Sequence, residues 1–103
     1  DEILKDAKII EEAGAFSIVL EKIPASLAQQ ITKSLTVPTI GIGAGVQCDG
    51  QILVTPDLLG LNMDFNPRFV RRYGQLAEGI TSAVKNYIDD VRRAKFPAAE
   101  ESY

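Results

Sequence analysis

The sequence predicts an α/β fold built on a parallel sheet. Three observations carry that prediction. Segments with helical apolar spacing alternate with short apolar runs. The runs Ala15–Leu20 and Thr39–Ile42 are too short for helices and read as strands buried in a parallel sheet. The second run passes straight into alternating glycines, Gly41-Ile42-Gly43-Ala44-Gly45, where a strand should end. In parallel α/β proteins the chemistry gathers at such carboxyl ends.

The elements follow in order. Leu4, Ala7, Ile10 and Ala13 recur at helical spacing, which predicts a helix from Ile3 to Ala13, and Gly14 stands where a left-handed terminating residue is expected. The strand Phe16 to Leu20 reads as covered on both faces and runs into Glu21. Pro24 suits a first helical turn, and Leu27, Ala28, Ile31 and Leu35 give the following helix one apolar face. Pro38 opens the strand Thr39 to Ile42, a glycine-rich loop runs to Gln51, and Ile52-Leu53-Val54 reads as a third strand. Thr55-Pro56-Asp57 ends that strand, and Leu58 to Leu61 is a loop or short helix. Asn66 as cap and Pro67 as first residue predict a long helix reaching about Lys95, with the stripe Phe69, Tyr73, Leu76, Ile80, Ala83, Tyr87, Val91. The tail from Ala98 is polar and expected to be loose.

Three parallel strands cannot close on themselves. The 103 residues therefore make either a small open sheet or roughly the last two-fifths of a (β/α)8 barrel, which takes about 250 residues. The first residue is Asp1 and the chain starts inside a helix, so a piece of a longer protein is expected. Hydrophobic content of 46% and charged content of 24% are those of a soluble globular protein. No apolar run approaches the roughly 20 residues of a membrane span, no signal-type opening is seen, and cytoplasm is the expected compartment.

A net charge of −3 argues against nucleic acid as partner. The clusters Arg68, Arg71, Arg72 and Arg92, Arg93, Lys95 read as a solvated helix face. The absence of histidine excludes Ser-His and Cys-His nucleophile systems. Cys48 stands alone, so neither a disulfide framework nor a zinc site can be built, and it reads as a small buried or loop residue.

The candidates for chemistry are then few. Glu21 ends a buried strand; a carboxylate partly withdrawn from water suits a general base, while a solvated Glu paired with Lys22 is the bland alternative. Gly41, Gly43, Ala44 and Gly45 can present several N–H groups to an anion or carbonyl oxygen, or can simply permit tight packing. The run is neither a dinucleotide fingerprint nor a P-loop. Asp49 and Asp57 are oxygen ligands of the kind magnesium takes, and equally turn or cap residues. Gln51 reads as bonded to loop backbone, and Tyr73 and Tyr87 as core residues.

Taken together, Glu12-Ala13-Gly14-Ala15-Phe16, Ile18-Val19-Leu20-Glu21-Lys22-Ile23-Pro24, Pro38-Thr39-Ile40-Gly41-Ile42-Gly43-Ala44-Gly45, Cys48-Asp49-Gly50-Gln51-Ile52-Leu53-Val54 and Asp57-Leu58-Leu59-Gly60 resemble the ketopantoate hydroxymethyltransferase family, in order and spacing, from about Asp6 to Phe96-Pro97. The resemblance implies the C-terminal portion of a phosphoenolpyruvate-mutase-like (β/α)8 TIM barrel. This chain would supply strands six to eight and the final helix. It implies hydroxymethyl transfer from 5,10-methylenetetrahydrofolate to 3-methyl-2-oxobutanoate, giving 2-dehydropantoate. Glu21 is implied as the base that removes the C3 proton. Mg²⁺ is implied as cofactor, with its carboxylate ligands upstream of this chain, so neither Asp49 nor Asp57 is assigned to it. The implied partners are the N-terminal part of the same barrel, the keto acid and folate, within a homo-oligomer. Two departures stand out: Pro56 precedes Asp57 where the family usually has histidine, and Glu101 replaces a histidine in the tail Glu100-Glu101-Ser102-Tyr103. A barrel of another family gripping a phosphate through Gly41–Gly45, or a non-catalytic fragment, are the other readings.

Overall fold

A computed structural model describes residues 1–103. The elements are α1 (Glu2–Glu12), β1 (Ile18–Glu21), α2 (Ala25–Ser34), β2 (Thr39–Ile42), β3 (Gly50–Gln51), α3 (Thr55–Leu58) and α4 (Leu76–Arg92), followed by a 3-10 turn at Ala99–Glu101. They divide into two compact units, one of residues 1–54 with 67–70, the other of residues 55–66 with 71–103.

In the first unit the strands form a parallel three-stranded sheet in the order β1-β2-β3. β1 pairs with β2 from Ile18 opposite Thr39 to Glu21 opposite Ile42. Strand pairing starts at Ile18, whose N–H donates to Pro38 O at 3.0 Å; Phe16 has no strand beside it and is exposed. Side chains alternate across a strand. Ile18 and Leu20 therefore share a face, and they form a core with Ala7 of α1, Ala28 and Ile31 of α2, and Ala44. Val19 is 52% exposed on the opposite face, so these residues cover β1 on one side and not on both as the apolar run suggested.

The helix ends follow from local chemistry. Asp1 caps α1 by accepting from the Ile3 N–H at 3.1 Å. Gly14, at φ +99°, closes it: its own N–H donates to Glu11 O and that of Ala15 to Ile10 O, the paired bonds of a Schellman ending. Pro24 is the N-cap of α2, one position before the expected first turn. The Glu11 carboxylate reaches from α1 to the turn before β2 and accepts from the Thr36 N–H (2.6 Å), the Thr36 hydroxyl (2.8 Å) and the Val37 N–H (2.9 Å).

The connection from β2 to β3 is the unusual one. Parallel strands commonly need a crossover of a dozen residues or more, yet residues 43–49 alone return the chain so that Gly50 lies opposite Ile40. Positive φ at Gly43 (+64°) and Gly45 (+82°) turns the backbone this sharply. The third strand is Gly50–Gln51, not Ile52–Val54. The Ile52 N–H still bonds Gly41 O at 3.0 Å, but beyond it β2 has already turned away into the Gly43 loop, so Leu53 and Val54 have no ladder to join.

In the second unit the long helix begins at Leu76, not at Pro67. The Tyr73 and Gly74 N–H groups both donate to Leu58 O, and the close approach of Gly74 O to Gly60 leaves no room for a side chain there. The first donors of α4 are satisfied by the turn that follows α3: Leu76 N–H by Leu59 O (3.1 Å) and Ala77 N–H by Gly60 O (3.1 Å). Arg72 also falls outside the helix. Its guanidinium donates to Asn62 O at 2.7 Å and Phe65 O at 3.3 Å, so it ties a loop and does not sit on a solvated helix face. Arg93 pairs with Asp89 at 3.1 Å on the exposed side of the α4 end. Tyr73 and Tyr87 are exposed rather than core; Tyr87 meets the Phe96 ring edge-on at 5.4 Å. No helix is long and apolar enough to cross a membrane.

Two outcomes are expected. The Val37 N–H, then the Thr36 hydroxyl and N–H, hold the Glu11 carboxyl below its ordinary range. Because the folded form favours the carboxylate, this contribution is complete above the ordinary range and is lost as pH falls through the lowered folded value. In the complete protein, Glu11→Gln should lower the urea midpoint at neutral pH, and the deficit should shrink on acidification; a pH-independent deficit contradicts the clasp. Second, with both outer strand edges unpaired, the isolated 103-residue chain should lack a cooperative thermal transition, as read by calorimetry.

Candidate functional site

Glu21 is the last residue of β1. It alternates with Leu20 and so lies on the face carrying Val19, the face without helices. Its parallel neighbour is Ile42, the last residue of β2. The two strand ends are locked together just beyond this pair, where the Lys22 N–H donates to Ile42 O at 2.9 Å. Glu21 thus stands one residue from the start of the glycine loop. Its side chain is exposed, so the partial withdrawal from water expected of it is not supplied by this chain's own residues.

The glycine loop is closely packed. A Cβ at Gly41 would lie 2.9 Å from Cys48 Sγ and 3.2 Å from the Gln51 amide; one at Gly43 would lie 3.0 Å from the Phe69 ring; one at Gly45 would lie 2.5 Å from Ala25 Cβ. Packing therefore accounts for all three glycines. Gly41 pairs with Leu20 and shares its helix-bearing face, away from Glu21. The loop nonetheless keeps donors free: none of the chain's hydrogen bonds is donated by the N–H of Gly43, Ala44 or Gly45. The Gln51 side chain, as expected of it, bonds loop backbone, donating to Gly45 O at 2.8 Å.

Asp49 is engaged elsewhere. Its carboxylate accepts from the Thr39 N–H at 2.8 Å and the Thr39 hydroxyl at 3.2 Å, while its own N–H donates back to that hydroxyl at 3.3 Å. Thr39 is fully buried and its hydroxyl also meets that of Thr32, 2.7 Å away on α2. This network sits at the amino end of β2, the other end of the strand from Glu21. Asp57 is buried within α3 of the second unit. No three carboxylate or cysteine side chains converge anywhere in the chain into a set that could hold a metal ion. Cys48 is half-buried against the core, in line with a small packing residue. Two contributors escaped the sequence reading: Thr39, whose residue type gave no sign of a buried hub, and Phe69, whose place over Gly43 no local pattern announces.

The model of the ketopantoate hydroxymethyltransferase family matches residues 1–99. The chain belongs to that family. Among curated members, it is 63% identical over its whole length to the 3-methyl-2-oxobutanoate hydroxymethyltransferase of Pelodictyon phaeoclathratiforme, covering 37% of that protein. It is 62% identical over 99% of its length to the Chlorobaculum tepidum enzyme of the same name, again covering 37%. It is 60% identical over its whole length to that of Salinibacter ruber, covering 39%. The chain thus spans well under half the length of the hydroxymethyltransferases it matches, a share that fits a C-terminal piece. The family is one of TIM-barrel enzymes, and a parallel sheet with helices on one face accords with that architecture.

The Asp49 network gives a direct expectation. Asp49→Ala leaves the buried Thr39 N–H without a partner and should cost about 1–3 kcal/mol of stability in the complete protein. Asp49→Asn, which keeps an acceptor oxygen, should cost less. Equal urea midpoints for all three proteins would remove the network from its structural role.

Proposed function

We propose that this chain is the C-terminal part of a (β/α)8 hydroxymethyltransferase. In this reading β1, β2 and the β3 segment are strands six to eight, α4 is the final helix, and the N-terminal part of the barrel completes the domain. The complete enzyme transfers a hydroxymethyl group from 5,10-methylenetetrahydrofolate to 3-methyl-2-oxobutanoate, the substrate named for its relatives, giving 2-dehydropantoate for pantothenate synthesis.

One observation carries the reading of the site. Glu21 ends a parallel strand on the face that bears no helix, beside the end of β2. In a closed barrel that face is the interior, and the carboxyl ends of its strands form the mouth where such enzymes work. Glu21 takes the proton from C3 of the keto acid. Water hydrolyses both C–N bonds of the folate's methylene carbon, leaving tetrahydrofolate and that carbon at the aldehyde level. The enolate carbon attacks it, forming the new C–C bond, and the resulting alkoxide takes the proton held by Glu21 to become the hydroxymethyl group. On this reading the N–H groups of Gly43, Ala44 and Gly45, which donate no hydrogen bond within the chain, bind an oxygen of the keto acid, and Gly41 leaves room for Cys48 and Gln51. The Mg²⁺ implied by the resemblance finds no set of ligands among these residues, since Asp49 is spent on Thr39 and no acidic set converges. Its ligands belong to the preceding part of the barrel, as do the remaining substrate contacts; the complete protein is read as cytoplasmic and homo-oligomeric.

The test is hydrogen exchange at C3 of 3-methyl-2-oxobutanoate in deuterated water, with the complete protein. Glu21→Gln should slow exchange by about 10²–10⁴-fold while keto-acid binding, read by calorimetry, stays within twofold or so. Exchange at the wild-type rate would remove Glu21 from the base role.

A further inference from the structure

We infer that Lys22 is a positioning residue whose left-handed backbone, and not its charge, aims the Glu21 carboxylate. This rests on the reading of Glu21 as the base. Lys22 has φ +51°, and Ala94 is the only other residue besides glycine with positive φ. A non-glycine residue in this region is disfavoured by about 1–2 kcal/mol and persists only where its surroundings fix it.

Those surroundings are evident. On one side the Lys22 N–H is bound to Ile42 O at 2.9 Å, which holds the end of β1 to the end of β2. On the other, Ile23 packs against the core and Pro24 begins α2 at φ −55°. The chain must leave the sheet plane and enter a helix within residues 22–24, and a left-handed residue accomplishes the turn. The same rotation fixes the plane of the peptide joining Glu21 to Lys22. It keeps Glu21 extended to the last position of the strand, with its side chain on the helix-free face beside Ile42. The Lys22 ammonium forms no ion pair within the chain, so its charge gives no reason for its place.

Lysine at this position is thus a side chain that tolerates left-handed backbone, which β-branched residues strongly resist. The experiment compares substitutions that all remove the charge and differ only in that tolerance. In the complete protein, Lys22→Gly and Lys22→Asn should keep the C3 exchange kcat within about twofold of wild type. Lys22→Val and Lys22→Ile should lose roughly tenfold in kcat, with a thermal midpoint below that of Lys22→Gly but a keto-acid KM close to it. Lys22→Ala supplies an intermediate loss, and serves as the test should the β-branched variants fail to fold. Equal kcat across the series, or a loss in Lys22→Gly as large as in Lys22→Val, would overturn the inference. Glu21→Gln is measured alongside. If it abolishes exchange while the Lys22 series is flat, the positioning role alone fails; if it exchanges normally, the base reading fails and this inference with it.

Discussion

The buried hydroxyl of Thr39 and the carboxylate of Asp49 hold the short return from β2 to β3 in place. Without them the chain has little reason to reverse within residues 43–49, because a parallel connection of this length carries no helix to pack it. The Asp49 carboxylate pins the end of the loop to the first residue of β2, the Gln51 amide holds Gly45 O, and Phe69 and Ala25 close on the glycines from outside. Charge-assisted bonds to backbone N–H groups are among the stronger ones available, and here one anchors the loop that borders Glu21. A constraint at the amino end of β2 thus decides what stands at its carboxyl end.

The remaining geometry is built from the same kind of contact, a side-chain carboxylate satisfying backbone donors at a turn. Glu11 does so for Thr36 and Val37, fixing the approach to β2 from the other side. Between the two carboxylates, β2 is fixed at its entry and at the return from its exit. Its register against β1 then follows, and with it the pairing of Glu21 and Ile42. The core of Ala7, Ile18, Leu20, Ala28, Ile31 and Ala44 supplies cohesion on one face, whereas the carboxylates supply direction.

What was legible in the sequence was what local pattern alone dictates. The helices α1 and α2, the Gly14 ending and the end of β1 at an acid all follow from spacing and residue type, and the structure has them within a residue or two. What failed was whatever a distant group decides. Asn66-Pro67 is a sound helix-start signal, but the Tyr73 and Gly74 donors are taken by Leu58 O, a carbonyl no sequence window includes. Ile52-Leu53-Val54 has strand composition, but a strand needs a neighbour, and β2 turns away before it arrives. Asp49 was recognisable as a turn residue and not as the partner of Thr39. Lys22 carried no signal, because nothing in a lysine announces positive φ.

The placement of Glu21 also separates two requirements of a general base. Position is met within this chain, through strand pairing, the Lys22 bond to Ile42 and the loop beside it. Withdrawal from water is not, since the Glu21 side chain is exposed and Val19 on the same face is exposed too. A carboxylate in bulk water is a weak base towards a carbon acid, and removing water is what strengthens its hold on a proton. On the proposed reading, the strands that pair with the open edges of β1 and β3 also enclose the face that carries Glu21. Barrel closure and activation of the base are then one event. Orientation is encoded in this segment and reactivity in the segment that meets it, so neither alone should carry out the reaction.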